Sequence, residues 1–137
     1  MFAKIMVPVD LAHADKLGRA LEAAAGLARL NGCPVCYVGV TAAQPSAVAH
    51  TPAEYAGKLA AFAAAQAEAH GIETHGHAVA SHDPAVDLDD ALLKAAEELE
   101  ADLIVMASHI PNLADHLWPA HGGQVARRAR ASVLVIR

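Results

Sequence analysis

Along this chain the apolar positions alternate between short unbroken runs and helically spaced stripes. Lys4-Ile-Met-Val-Pro-Val-Asp10 is a dense run of strand length, and Pro8 suits a strand terminus better than a centre. From Ala14 to Leu30, residues Leu17, Leu21, Ala24, Ala25 and Ala28 recur on one helical stripe, which Asn31-Gly32 closes. Pro34 to Val40 predicts a second strand, and the polar stretch from Thr41 to His50 predicts a loop. Thr51-Pro-Ala-Glu54 is a capping-box pattern with proline at the first helical position, opening a helix to about Ala69 that stops at His70-Gly71. Ile72 to Ala80 predicts a third strand. Asp83-Pro84 marks a turn or helix start, and Leu88, Leu92, Leu93, Ala96 and Leu99 carry the helix that follows. Asp102 to Ala107 predicts a buried fourth strand. After a long connection from Ser108 to His121, Gly122-Gly123 opens a basic helix, and Ser132 to Ile136 is the last strand.

The order is βαβαβαβαβ. Apolar strands separated by helices imply a parallel sheet covered on both faces, and right-handed crossovers make it doubly wound. The expected fold is α/β, a three-layer sandwich with a five-stranded parallel sheet and about four helices, in a single domain over residues 1–137. Ligands of such sheets bind outside the carboxyl ends of the strands, at the switch point. That places the candidate surface at Pro8 to Asp10, at Val40 and Thr41, and from Ala107 onward.

Composition narrows the function classes. Hydrophobic residues are 55% of the chain and aromatics only 4%, so the core is expected to be Val, Ile, Leu and Ala, with helices packed closely on alanine faces. A net charge of −5 argues against a general nucleic-acid-binding surface. No apolar run approaches the roughly 18 residues of a membrane span. Met1-Phe-Ala-Lys4 leads straight into the first strand without a signal pattern. Two cysteines do not make a disulfide scaffold. A cytoplasmic location is expected, with neither nucleic acid nor membrane as partner.

Several groups invite a chemical reading. Cys33-Pro-Val-Cys36 has redox spacing, but it opens a strand rather than a helix, so the two sulfurs diverge and the expectation is structural. His109, His116 and His121 share the long connection with Asp115, a set able to hold a transition metal. His75 and His77 share a strand face. Arg127, Arg128 and Arg130 complement a helix C-terminus, as Asp87, Asp89 and Asp90 complement an N-terminal turn. Trp118, the single tryptophan, either fills the ligand site or anchors the loop to a partner copy. No nucleophile elbow, P-loop or Ser–His–Asp order is present, so no enzyme activity is expected.

Three stretches together carry a resemblance to the universal stress protein family: Lys4 to Asp10, Ala101-Asp-Leu-Ile-Val-Met-Ala-Ser-His109, and Val125 to Arg137, ending in Ser132-Val-Leu-Val-Ile-Arg137. The resemblance spans essentially the whole chain. It implies a stress-response regulatory or protective protein with a five-stranded parallel sheet, forming a homodimer through the C-terminal strand. It also implies an adenine nucleotide, ATP or AMP, as ligand in those members that bind one. Adenosine would then lie against Pro8, Asp10 and the backbone near Val40. The phosphates would lie along the stretch after the fourth strand, at Ala107, Ser108, His109 and Ile110, then Ala120, His121 and Gly122.

This chain departs from the phosphate-binding pattern of the family, which reads Gly-x2-Gly-x9-Gly followed by Ser or Thr. Ala107 and Ile110 stand at the first two glycines, although Ala107-Ser-His-Ile-Pro111 matches a related form. Pro119-Ala120 stands at the final Gly-Ser. Proline has no N–H to offer a phosphate oxygen, and alanine has no hydroxyl. An adenine nucleotide and no small ligand at all therefore remain alternatives, with ATP less expected than AMP. Two other classes compete: a slow metal-assisted nucleotide hydrolase built on His109, Asp115 and His121, and a partner-binding module without a small ligand.

Overall fold

The computed structural model describes residues 1–108 and 121–137. Five strands form one all-parallel sheet: β1 (Ile5–Pro8), β2 (Val35–Ala42), β3 (Thr74–Ser81), β4 (Leu103–Ala107) and β5 (Ser132–Ile136), in the spatial order β3-β2-β1-β4-β5. Four α-helices connect them: α1 (Gly18–Asn31), α2 (Pro52–His70), α3 (Pro84–Glu98) and α4 (His121–Arg128). The expected doubly wound α/β sandwich is the observed fold.

The register aligns the strand starts. Ile5 faces Val35 on one side and Leu103 on the other, Val35 faces Thr74, and Leu103 faces Ser132. Helix α1 packs over β1 and β4, and α2 over β2 and β3. On the other face α3 packs against β2 and β3, and α4 against β5 and α3. Neighbouring residues of β3 show the two layers. A side chain at Gly76 would press on Leu59 of α2, while His77 reaches toward Glu98 of α3 at 3.8 Å.

The core is aliphatic, as the composition demands. Ile5, Met6, Val35, Val38, Leu59, Leu92 and Ile104 are fully buried, and Ala24 and Ala25 let α1 lie close to the sheet. Tyr37 is a fully buried aromatic at its centre, edge-on to Phe62 at 5.3 Å between ring centroids.

The helix signals work as read, with refinements. Thr51 Oγ1 accepts from the Glu54 N–H at 3.1 Å, while the Glu54 carboxylate accepts from His50 rather than closing back on Thr51. Gly32 and Gly71 end α1 and α2 in the left-handed conformation, at φ 62° and 65°.

Two boundaries differ from expectation. The helix expected from Ala14 is preceded by a 3-10 segment, Leu11–Lys16, and α1 itself starts at Gly18. His13 breaks the turn with non-helical angles, φ −130° and ψ 29°. Strand β2 runs through Thr41 to Ala42, because pairing with Ala80 and Ser81 of β3 carries it past the polar signal that predicted a loop. Among the described residues no helix is long and apolar enough to cross a membrane.

Candidate functional site

Strand β1 stays hydrogen-bonded to β2 as far as Val9, whose N–H donates to Val38 O at 2.8 Å. Its ladder to β4 stops earlier, at Met6 against Ile104. Beyond that pair β1 follows β2 while β4 runs on beside β5 to Ala107, which faces Ile136. The β1–β4 ladder thus ends short of the carboxyl edge, at the point where the winding of the sheet reverses and doubly wound folds place their ligand crevice.

Asp10 stands at the mouth of this crevice, directly after β1. Its Oδ1 accepts from the Ala12 N–H at 3.1 Å, and its Oδ2 lies 2.8 Å from His13 Nδ1. An ionised carboxylate only accepts, so the His13 ring donates from Nδ1. Asp10 thus caps the 3-10 segment, and each oxygen still has a lone pair available to a ligand hydroxyl.

Tyr55, from the first turns of α2, reaches back to this edge. Its ring lies over Gly39 of β2, where a Cβ would come within 2.3 Å of the phenol oxygen. Only glycine admits that approach. Burial pushes the Tyr55 hydroxyl up to about 12, and the negative charge of Asp10 adds to the shift. At neutral pH it is a phenol able to donate a hydrogen bond.

The sequence-predicted site residues divide into two sets. Pro8 ends β1, Val40 lies in β2 opposite Val79, Ala107 ends β4, and Ser108 donates its N–H to Ile136 O at 2.8 Å. With Asp10 they share the carboxyl edge. His109, Ile110 and Ala120 lie outside the described residues, as do Asp115, His116, Trp118 and Pro119. His121 and Gly122 open α4. Tyr55, Gly39 and His13 were missed by the sequence reading. The signal for His13 was its spacing three residues after a strand-ending aspartate.

The remaining candidates are structural in their surroundings. Cys36 lies within β2 and Cys33 in the turn before it; both are buried free thiols that burial pushes above their ordinary range. Arg128 pairs with Asp90 and so ties α4 to α3. His75 meets Glu73 at 3.0 Å and His77 meets Glu98. Among the described residues no three His, Cys, Asp or Glu side chains gather as metal ligands.

The sequence model described as the universal stress protein family matches residues 1–137. Solved structures share the fold. A universal stress protein in complex with cAMP is 22% identical, with a TM-score of 0.72 over 99% of this chain and 97% of that one. One from Archaeoglobus fulgidus in complex with dAMP is 24% identical, with a TM-score of 0.69 over 98% of each chain. A universal stress protein family protein from Arabidopsis thaliana with AMP bound is 13% identical, with a TM-score of 0.66 over 98% of this chain and 90% of that one.

Proposed function

The chain belongs to the universal stress protein family, and from that premise we propose that it binds an adenine nucleotide at the crevice between β1 and β4 and acts by binding rather than turnover. The observation that carries this reading is the early end of the β1–β4 ladder with the Asp10 carboxylate fixed at its mouth. The residues present fit the nucleoside part of such a ligand. Asp10 offers acceptors for a pair of ribose hydroxyls, the β2 backbone near Val40 borders the same edge, and the Tyr55 phenol is available as a donor. The complexes with cAMP, dAMP and AMP formed by proteins of this fold support the same choice of ligand.

Calorimetric titration of the full chain with adenosine and AMP tests this. The wild type should bind both, and Asp10→Ala should weaken both by about ten- to a hundredfold, the range for a hydrogen bond to a charged group. The same variant should lose about 1 kcal/mol of stability with the cap, whereas Asp10→Asn keeps the cap and isolates the charge. Adenosine affinity unchanged in both variants would remove Asp10 from the site.

The cellular setting in this reading is the cytoplasm, and the assembly is a homodimer through β5. Among the described residues that strand is paired only with β4, and it exposes Leu134 and Val135 at 37% and 36%. The opposite edge strand, β3, carries Thr74, His75 and His77 instead. An apolar edge favours pairing with a second copy about a two-fold axis. Leu134→Lys should shift the sedimentation coefficient from dimer toward monomer; a wild-type monomer at micromolar concentration would refute the assembly.

A further inference from the structure

A second concavity lies on the same edge, on the α1 side of β4 and β5. It is a groove of about 500 Å³ bordered by Lys16, Arg19, Ala107, Ser108, Ile136 and Arg137. Volumes of this order hold small ligands. The chain has 10 Lys and Arg against 15 Asp and Glu, yet among the described residues that border this groove three are cations and none is an Asp or Glu.

The cations have little to do in the fold itself. Lys16 is 4.0 Å from Asp15, with both side chains largely in water. Arg19 and Arg137 form no ion pair or hydrogen bond among the described residues. Their position also runs against helix electrostatics. Helix α1 begins with Leu17 at its N-cap, no side chain caps it, and no acidic residue lies in its first turn. Its end is positive, and Arg19 in that turn with Lys16 just before it adds like charge, an arrangement that disfavours the folded state unless an anion is present. Lys16 ends the 3-10 segment that Asp10 begins, so the groove and the crevice are joined by six residues.

We propose that this groove binds a phosphoryl group, with Lys16 and Arg19 as its counter-charges and the Ser108 hydroxyl as a further donor. Side-chain cations of the α1 end would do the work for which Pro119 and Ala120 lack groups. The inference rests on the nucleotide reading only for the source of the phosphoryl group. That source is either a nucleotide seated at Asp10 or a separate phosphorylated molecule.

Titration of the full chain with adenosine, AMP, ADP and pyrophosphate separates the cases. ADP should bind at least tenfold tighter than adenosine, and the advantage should shrink as salt rises. Lys16→Ala with Arg19→Ala should lower ADP affinity about tenfold or more while adenosine changes less than twofold. The double variant should unfold at the same temperature or higher, since like charge leaves a positive helix end. Lys16→Gln with Arg19→Gln gives the same readout with the aliphatic stems largely kept. Adenosine failing to bind while pyrophosphate binds in a Lys16- and Arg19-dependent way would support the groove and sink the nucleotide reading. Full ADP affinity in both double variants, or no phosphoryl compound binding the wild type, would overturn the proposal.

Discussion

At the amino edge of the sheet the Asp102 carboxylate accepts from the N–H groups of Ala3 and Lys4, at 2.9 and 3.1 Å. The Asp102 N–H donates to Lys4 O, and Ser132 donates to Asp102 O, so one residue ties the starts of β1, β4 and β5. Ile5 donates to Pro34 O and Val35 to Glu73 O, which ties in β2 and β3. At the carboxyl edge the strands part. The β1–β4 ladder ends early, a 3-10 segment with a non-helical residue replaces the first turn of a helix, and α1 starts without a cap. One edge satisfies its polar groups from within the chain. The other leaves carboxylate lone pairs at Asp10, a Lys16 whose one ion pair, to Asp15, lies largely in water, and an Arg19 with no partner among the described residues, which is the arrangement a binding edge needs.

The largest expected effect tests a place where the carboxyl edge is tightly packed. In Gly39→Ala the new Cβ would meet Tyr55 Oη at 2.3 Å and its ring carbons at 2.8 and 2.9 Å. Tyr55 is buried on α2 and cannot simply swing into solvent. The variant should lose about 1–3 kcal/mol in denaturant unfolding, the range for overpacking. Combining it with Tyr55→Leu should cost clearly less than the sum of the two single changes, since the clash is then gone. Additive losses would mean that Gly39 is required for some reason other than Tyr55.

A smaller effect is expected from the amino edge, and it carries a pH signature. Burial pushes the Asp102 carboxyl upward, but the N–H groups of Ala3, Lys4 and Asp102 itself, with the N-terminal charge, together outweigh it, and the group titrates below its ordinary range. A carboxylate whose folded value is depressed stabilises the fold above its unfolded value of about 4 and loses that contribution as pH falls through the lower one. Asp102→Ala should therefore cost about 1 kcal/mol at pH 7, a figure already reduced for water around the site. The gap between wild type and variant should close in acid. A gap that persists below pH 2 would show that backbone packing, and not the charge, makes the contribution.

The asymmetry between the edges also explains what the sequence could and could not tell. Apolar runs such as Ile5 to Val7 and Leu103 to Met106 announce buried strands because burial on both faces leaves no room for alternation. Gly32 and Gly71 announce helix ends because few other residues adopt the left-handed conformation there at low cost. Asp10 was legible as a residue at a strand end. The closing of Tyr55 onto Gly39 was not, since it joins α2 to β2 across a gap in sequence and no local spacing encodes it. The basic end of α1 did have a signal: Lys16 and Arg19 stand where helix electrostatics favours acids. A stripe analysis that counts only apolar positions passes over that kind of contradiction.

The smallest effect on stability should come from His13, and it sharpens the comparison most. Its ring is 38% exposed and touches Asp10, itself 25% exposed, so their pairing is part-buried at the surface and still reached by water. Pairs of that kind are worth little, and His13→Ala should change unfolding by less than about 0.5 kcal/mol. Its effect on binding should be larger in proportion. Without the ring, Asp10 Oδ2 has no partner and the carboxylate is held only through Ala12. Fixing one freed side chain on binding costs roughly threefold to tenfold in affinity, so adenosine should bind weaker by that factor. His13→Gln, which restores a donor, should recover part of the loss. His13 is a positioning residue in this account, and recovery by a donor is the readout that a packing role would not produce. A large loss of stability with unchanged adenosine affinity would instead place His13 with Asp102, among the residues that hold the sheet together.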